Sequence, residues 1–274
     1  MEKAIVNGKL IDKSQATIAI DDKGYFFDFC VYSTLKVLQG KLFFPQFHAE
    51  RIIESAELLG IKHNLTVMNI TKWLDKLVKI NNYENSLIRM VLVGDPDDVA
   101  YANLYIFAIG SLAFYPNKFY ARGVKVITYL GERPLPKAKS KDLLISVLAF
   151  RKAKKHGALD ALLVDSTGNI REGTRTNFFA IAGNKLITPP ADQVLGGIAQ
   201  KLVLKLAKTD FEIVREEIPK SQIGNFDEFF MTNSSMNVMP INQIDDDKFD
   251  TDFPKTKHIQ KLFKDYCHKN ILDK

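Results

Sequence analysis

Ala161-Leu162-Leu163-Val164-Asp165, Ser166-Thr167-Gly168-Asn169, then Ile170-Arg171-Glu172-Gly173-Thr174-Arg175-Thr176-Asn177-Phe178-Phe179 is the stretch that says most about this chain. A short apolar run of strand length leads into a turn of Ser, Thr, Gly and Asn. A polar loop follows and enters a second apolar strand over residues 177–182. Glu172 in that loop reads either as a surface carboxylate in a turn or as a carboxylate set beside a protonated ring nitrogen. Upstream, Pro136-Lys137-Ala138-Lys139-Ser140-Lys141-Asp142 places three lysines at the junction of a loop and a helix. Such a run is either a solvated basic loop or, where one amine is partly desolvated, the source of a nucleophile for a carbonyl group.

Moving towards the N-terminus, the pattern alternates short strands with two helices. Residues 4–6 and 9–11 flank Asn7-Gly8, a strong hairpin signal. A β-branched and aromatic run at 31–38 turns at Gln39-Gly40 and returns through 42–44. Apolar residues at helical spacing from Phe47 to Leu59 end at Gly60, and a second helix is expected over 67–80. Strands at 87–93 and 104–112 follow. The Pro- and Gly-rich segments around Tyr115-Pro116 and Gly131–Pro136 mark the expected domain boundary, with one domain over residues 1–118 and another over 119–274. Beyond it the pattern predicts a strand at 124–130, a helix at 143–156, strands at 161–165, 177–182, 212–218 and 228–232, a helix opening after Gly196-Gly197, and a terminal helix at 255–268.

The composition narrows the class. Of 274 residues, 46% are hydrophobic and 26% charged, which excludes disordered and low-complexity proteins. The net charge of +6 is spread along the chain, favouring small anionic ligands over nucleic acid. Two cysteines, Cys30 and Cys267, are too few for a disulfide framework or a tetrahedral metal site, so no metal is expected. No signal-like or membrane-length apolar segment stands out, and a cytoplasmic location without a membrane partner is the expectation.

Three further features could hold an anion. Val194-Leu195-Gly196-Gly197-Ile198-Ala199 leads into a helix, where two glycines either make a tight turn or let backbone amides approach a phosphate. Thr232-Asn233-Ser234-Ser235 offers hydroxyls and amides, or is an ordinary turn. Arg51, on the amphipathic helix after His48, is either a surface residue with a packed stem or an inward guanidinium that clamps phosphate.

Taken together, Tyr32, His48-Ala49-Glu50-Arg51, Lys139-Ser140-Lys141-Asp142-Leu143-Leu144, the segment 157–165, Glu172-Gly173-Thr174-Arg175-Thr176-Asn177-Phe178-Phe179, Gly197-Ile198 and Thr232-Asn233-Ser234-Ser235 resemble the class IV aminotransferase family. These are the fold-type IV pyridoxal-phosphate enzymes, and they include branched-chain aminotransferases, D-amino-acid aminotransferases and aminodeoxychorismate lyases. The resemblance spans residues 8–240 and is most specific over 139–179. It implies an α/β (α+β) chain, with a small N-terminal α/β domain, a larger β-barrel-like C-terminal domain with helices, and pyridoxal 5′-phosphate at their interface. It implies a homodimer, Lys139 as Schiff-base lysine and acid/base catalyst (Lys137 and Lys141 as fallbacks), and Glu172 on the pyridinium nitrogen. Phosphate would be held by Arg51, by Gly197 with the amides of Ile198 and Ala199, and by Ser234. The substrate side would be lined by Tyr32, Thr34, Arg89, Arg175 and Ser235.

The chain also departs from the family. Asp142 stands where Asn is usual, Ala199 replaces a threonine that usually touches the phosphate, and Phe27-Asp28-Phe29 replaces a glycine–aspartate–glycine turn. Arg175 occupies a position that is often small, and either binds a substrate carboxylate or pairs with neighbours of Glu172 or solvent. Ile88-Arg89 through Gly94-Asp95 resembles the branched-chain aminotransferases, in which the arginine faces a carboxylate. Tyr32-Ser33-Thr34 and Met236–Pro240 resemble the lyases, which make p-aminobenzoate for the folate pathway. The expected activity is transfer of an amino group from an amino acid to a 2-oxo acid, with lyase chemistry or a catalytically silent cofactor-fold protein as the alternatives.

Overall fold

The computed structural model describes residues 1–112 and 114–272. They form two compact units, one of residues 1–112, 138–142 and 270–272, the other of residues 114–137 and 143–269.

In the first unit the chain runs β1 (Lys3–Val6), β2 (Lys9–Asp12), α1 (Lys23–Phe26), β3 (Cys30–Leu38), β4 (Lys41–Leu42), α2 (Pro45–Leu58), α3 (Val67–Asn81), β5 (Ser86–Val93) and β6 (Asn103–Ser111). The strands form an antiparallel sheet in the order β2-β1-β6-β5-β3-β4. Asn7-Gly8 and Gln39-Gly40 take positive φ at both positions, the backbone that a tight hairpin matching strand twist requires. The expected return strand at 42–44 stops at Leu42, because Phe44 turns to φ 51° and feeds Pro45 into the first turn of α2. Leu35, Ile88, Met90, Leu92 and Ile106 form one core with Ile52, Ala56, Ile70, Leu74 and Leu77 of α2 and α3.

Side chains alternate across a strand, so the other sheet face carries a different set. Thr34 lies opposite Arg89, which lies opposite Phe107; Tyr32 lies opposite Val91, which lies opposite Tyr105. Residues 138–142 run beside the start of β3. The Tyr32 N–H donates to the Lys139 carbonyl at 3.0 Å, and the Lys141 N–H donates to the Cys30 carbonyl at 3.0 Å.

The second unit contains α4 (Asn117–Arg122), β7 (Val124–Leu130), α5 (Leu144–Lys155), β8 (Asp160–Val164), β9 (Ile170–Gly173), β10 (Asn177–Ala182), β11 (Lys185–Thr188), α6 (Ile198–Ala207), β12 (Glu212–Arg215), β13 (Glu228–Asn233), β14 (Asn237–Ile244), β15 (Asp247–Lys248) and α7 (Pro254–Cys267). Pairing runs β10-β13-β14-β7-β8-β9 and returns to β10 through Asn177 opposite Glu172, closing a six-stranded barrel. β7 pairs parallel with both β8 and β14. β11 and β12 extend from the later half of β10. Phe179 stacks on Phe230 across the β10–β13 pair, with ring centroids 4.7 Å apart.

Residues 170–173, read from sequence as part of a polar loop, are a buried strand. Arg171 makes ion pairs with Asp165 and Glu217, so its charge is neutralised where it is buried. Among the described residues, no helix is long and apolar enough to cross a membrane.

The N-terminus of α7 has no side-chain cap of its own, because Phe253 precedes Pro254. Glu228, buried on β13, supplies the cap, accepting from the Lys255 N–H at 2.9 Å and the Thr256 N–H at 2.7 Å. Glu228→Ala is expected to lower folding stability by about 2 kcal/mol, and Glu228→Gln by less, since an amide oxygen still accepts one bond. Denaturant titration reads this directly, and an unchanged midpoint in the alanine variant would remove Glu228 from the cap.

Candidate active site

In the first unit the candidate residues are organised by α2. His48, Arg51 and Ser55 recur at helical spacing on one buried stripe facing β3. Arg51, 7% exposed, points inward; its Nη2 donates to Ser33 Oγ at 2.8 Å. Ser33 Oγ lies 2.9 Å from His48 Nδ1. Burial, then the charges of Arg51 and Lys139, hold the His48 ring well below the ordinary value of 6.5. One helical turn further on, Ser55 Oγ accepts from the Lys139 N–H at 3.1 Å.

The three lysines separate by environment. Lys137 is exposed. Lys141 forms an ion pair with Asp28 and lies over the Tyr25 ring at 4.1 Å. Burial pulls the Lys141 ammonium down, but the hydrogen bond and charge of Asp28 outweigh it, and its net shift is upward. It is therefore held protonated. Lys139 is half-buried, with Nζ 4.7 Å from the centre of the Tyr32 ring. The Arg89 guanidinium lies 5.5 Å from the same ring, fixed by a 3.2 Å bond from Nε to Thr34 Oγ1. Tyr32, Thr34, Arg89 and Lys139 thus share one neighbourhood.

In the second unit, Glu172 is 5% exposed at the barrel closure. Oε1 accepts from Arg133 Nη1 at 3.3 Å, and Oε2 accepts from the Leu195 N–H at 3.2 Å. Asn177 Nδ2 donates to the Leu195 carbonyl at 2.7 Å, so Leu195 is held through both its N–H and its carbonyl. A Cβ at Gly197 would fall 2.0 Å from Asn177 Oδ1, which makes glycine obligatory there. Immediately after it α6 begins at Ile198 without a side-chain cap, leaving the first-turn amides, those of Ile198 and Ala199 included, suited to an anion. Thr174 and Thr176 both donate to buried Asp160, fixing the turn that follows Glu172.

The remaining candidates are placed more loosely. Ser234 sits half-buried in the turn between β13 and β14. The Ser235 hydroxyl and N–H both donate to Asn233 Oδ1, at 3.2 and 2.9 Å, so its hydroxyl is engaged locally. Arg175 is exposed and stacks on Phe150, its guanidinium 4.0 Å from the ring centre.

Arg133, Ser33, Asn177 and Asp160 carry structural roles that residue patterns did not single out. For Arg133 the only sequence signal is an isolated arginine in the Pro-rich turn before the lysines.

The profile of the amino-transferase class IV family matches residues 30–244. The putative branched-chain-amino-acid aminotransferase of Methanocaldococcus jannaschii is 30% identical over 257 residues, covering 89% of this chain and 88% of that protein. The D-alanine aminotransferase of Bacillus licheniformis is 29% identical over 272 residues, covering 94% of each. The branched-chain aminotransferase of Thermoproteus uzoniensis, solved with norvaline, superposes with a TM-score of 0.85 at 23% identity over 96% of this chain and 93% of that one, a likeness of fold. The chain belongs to the class IV aminotransferase family. It is an enzyme of the pyridoxal-phosphate-dependent aminotransferase class.

The residues present fit that cofactor. Each unit, taken by itself, offers groups of the right chemistry: in the first a half-buried amine suited to an aldehyde and a buried guanidinium suited to a phosphate, and in the second an uncapped helix start suited to an anion and a buried carboxylate suited to a protonated ring nitrogen.

His48 also gives the fold a pH dependence. Its folded-state proton affinity is depressed, so below the ordinary value of 6.5 the unfolded chain binds a proton that the folded chain refuses. That contribution is present above pH 6.5 and is lost as pH falls through this region. Between pH 7 and pH 5 the wild type is expected to lose more unfolding free energy than His48→Asn. Parallel losses would show that His48 does not titrate on unfolding.

Proposed function

We propose that Lys139 is the lysine through which this aminotransferase acts, and that its donors are amino acids with apolar, branched side chains. The observation that carries the reading is the pair of cations around Tyr32: the Lys139 amine on one contact and the fixed Arg89 guanidinium on another. An amino acid whose carboxylate pairs with Arg89 presents its α-carbon towards the lysine. Val91, Tyr105 and Phe107 share that sheet face by register and give an apolar side chain somewhere to lie. The relatives named for branched-chain amino acids support the same donor class.

When bound, pyridoxal 5′-phosphate supplies an aldehyde that captures the amine and a pyridine ring that accepts electrons from the substrate α-carbon. The chain's residues do the rest. In the first unit Arg51 would bind the phosphate dianion, and in the second the first amides of α6 and Ser234 are groups that would do the same. Glu172, its own position fixed by Arg133 and Leu195, would keep a proton on the ring nitrogen. Lys139 Nζ would take the proton from the substrate α-carbon and deliver it to the carbon of the former aldehyde, so that the amino group leaves the donor, and the Tyr32 ring limits water around that amine.

A homodimer in the cytoplasm completes the proposal. Leu144, Val147 and Leu148 leave an apolar stripe exposed on α5, with exposed Leu130 on β7 in the same unit, and a second copy would cover it. Both cysteines are buried thiols, as in a reducing compartment. Light scattering is expected to give twice the chain mass, and Leu144→Asp with Val147→Asp is expected to give the single mass. A wild-type monomer would end the dimer proposal.

Borohydride reduction of the loaded enzyme followed by peptide mapping is expected to label Lys139. A label on Lys137 or Lys141 would reassign the lysine. A branched-chain amino acid alone is expected to bleach the visible absorbance, and a 2-oxo acid to restore it. Arg89→Met is expected to raise KM for the donor at least about tenfold, the loss of one charged pair. Absence of bleaching across L- and D-amino acids, with p-aminobenzoate released from aminodeoxychorismate, would make the enzyme a lyase instead.

A further inference from the structure

The cluster of His48, Ser33 and Arg51 is buried, and one arrangement of protons makes all three of its contacts hydrogen bonds. A guanidinium donates and never accepts. Arg51 Nη2 lies 2.8 Å from Ser33 Oγ and 3.3 Å from His48 Nδ1, so both of those atoms face a donor. Ser33 Oγ accepts from Arg51, and its single proton then points to His48 Nδ1, 2.9 Å away. Nδ1 is therefore an acceptor, and the neutral ring carries its proton on Nε2. With Ser33 at 0% and His48 at 1% exposure, bulk water cannot take over either bond.

We infer that Ser33 and His48 are positioning residues that hold the Arg51 guanidinium in the pose that meets the cofactor phosphate. This rests on the assignment of Arg51 to the phosphate. The geometry explains why a serine and a histidine are needed together. The serine alone could turn its proton away from Arg51 in any direction. The ring supplies the acceptor that orients that proton, leaving a serine lone pair aimed at Nη2. A charged imidazolium would donate from Nδ1 towards the guanidinium, breaking the chain of bonds and placing two cations in contact. The neutral ring avoids both effects. Arg51 reaches the site with part of its side-chain freedom already removed, which favours binding of the phosphate without adding a contact to it.

The experiment compares affinities for pyridoxal 5′-phosphate and for pyridoxal, measured by titrating the cofactor-free full-length protein. Both ligands use the same lysine and differ in the phosphate, so their affinity ratio reports the phosphate contact alone. Arg51→Ala is expected to reduce the ratio about a hundredfold, the loss of two charged hydrogen bonds. Ser33→Ala and His48→Leu are each expected to reduce it about tenfold. His48→Asn, whose Oδ1 can accept near the Nδ1 position, is expected to stay within a few-fold of wild type.

If Arg51→Ala leaves the ratio unchanged, the phosphate assignment fails and the inference falls with it. If Arg51→Ala lowers the ratio but Ser33→Ala and His48→Leu do not, the assignment stands and the positioning role is overturned. Equal weakening of both ligands in the serine and histidine variants also overturns it, since that is a general loss of structure. Nitrogen-15 spectra of histidine in the wild-type holoenzyme provide a test that needs no variant. They are expected to show His48 neutral with its proton on Nε2 from pH 6 to pH 8, and a protonated Nδ1 would overturn the inference.

Discussion

A carboxylate buried in a protein costs several kcal/mol unless donors meet both of its oxygens. Glu172 is met on one side by a guanidinium and on the other by a backbone N–H. Much of the second unit can be understood from that requirement. The N–H belongs to Leu195, whose carbonyl is held in turn by Asn177. Asn177 is the residue that pairs with Glu172 across the barrel closure. The same asparagine leaves room for nothing larger than glycine at 197, and α6 starts one residue later. A single ring of contacts therefore couples the carboxylate, the closure of the sheet and the start of the helix.

The first unit meets a comparable difficulty with cations. Arg51 is buried, and a hydroxyl and a neutral imidazole meet its Nη2. Nearby, Lys141 pairs with Asp28. Two positions earlier, Lys139 instead lies over the Tyr32 ring.

Local signals explain most of what was legible in the sequence. The hairpin at Asn7-Gly8, the glycine stop after α2 and the start of α6 after Gly197 all depend on residues within a few positions of one another. Strand β9 was not legible, since Arg171 and Glu172 look like loop residues until their partners, Glu217 and Arg133, are known to lie 46 and 39 positions away. β14 carries Pro240, which lacks an N–H and argues against a central strand, yet it pairs with Phe230 inside the ring. The barrel was expected from family resemblance and not from periodicity. The distinction among the three lysines depends on Asp28, 113 positions from Lys141, so residue spacing alone could not make it.

The order in which the strands are made has a consequence for synthesis of the chain. All six strands of the first sheet lie within residues 3–111, so that sheet is made before the first barrel strand begins at Val124. The barrel is different, because β7 ends at Leu130 and its parallel neighbour β14 ends at Ile244. At roughly 5–20 residues per second, a ribosome needs on the order of ten seconds to make the intervening chain. Throughout that interval one edge of β7, Val-Lys-Val-Ile-Thr-Tyr-Leu, has no native neighbour. An apolar strand with an open edge is the form in which nascent chains are captured by one another or by chaperones. The closed ring is thus one whose β7 lacks its native β14 neighbour until residue 244 has been made.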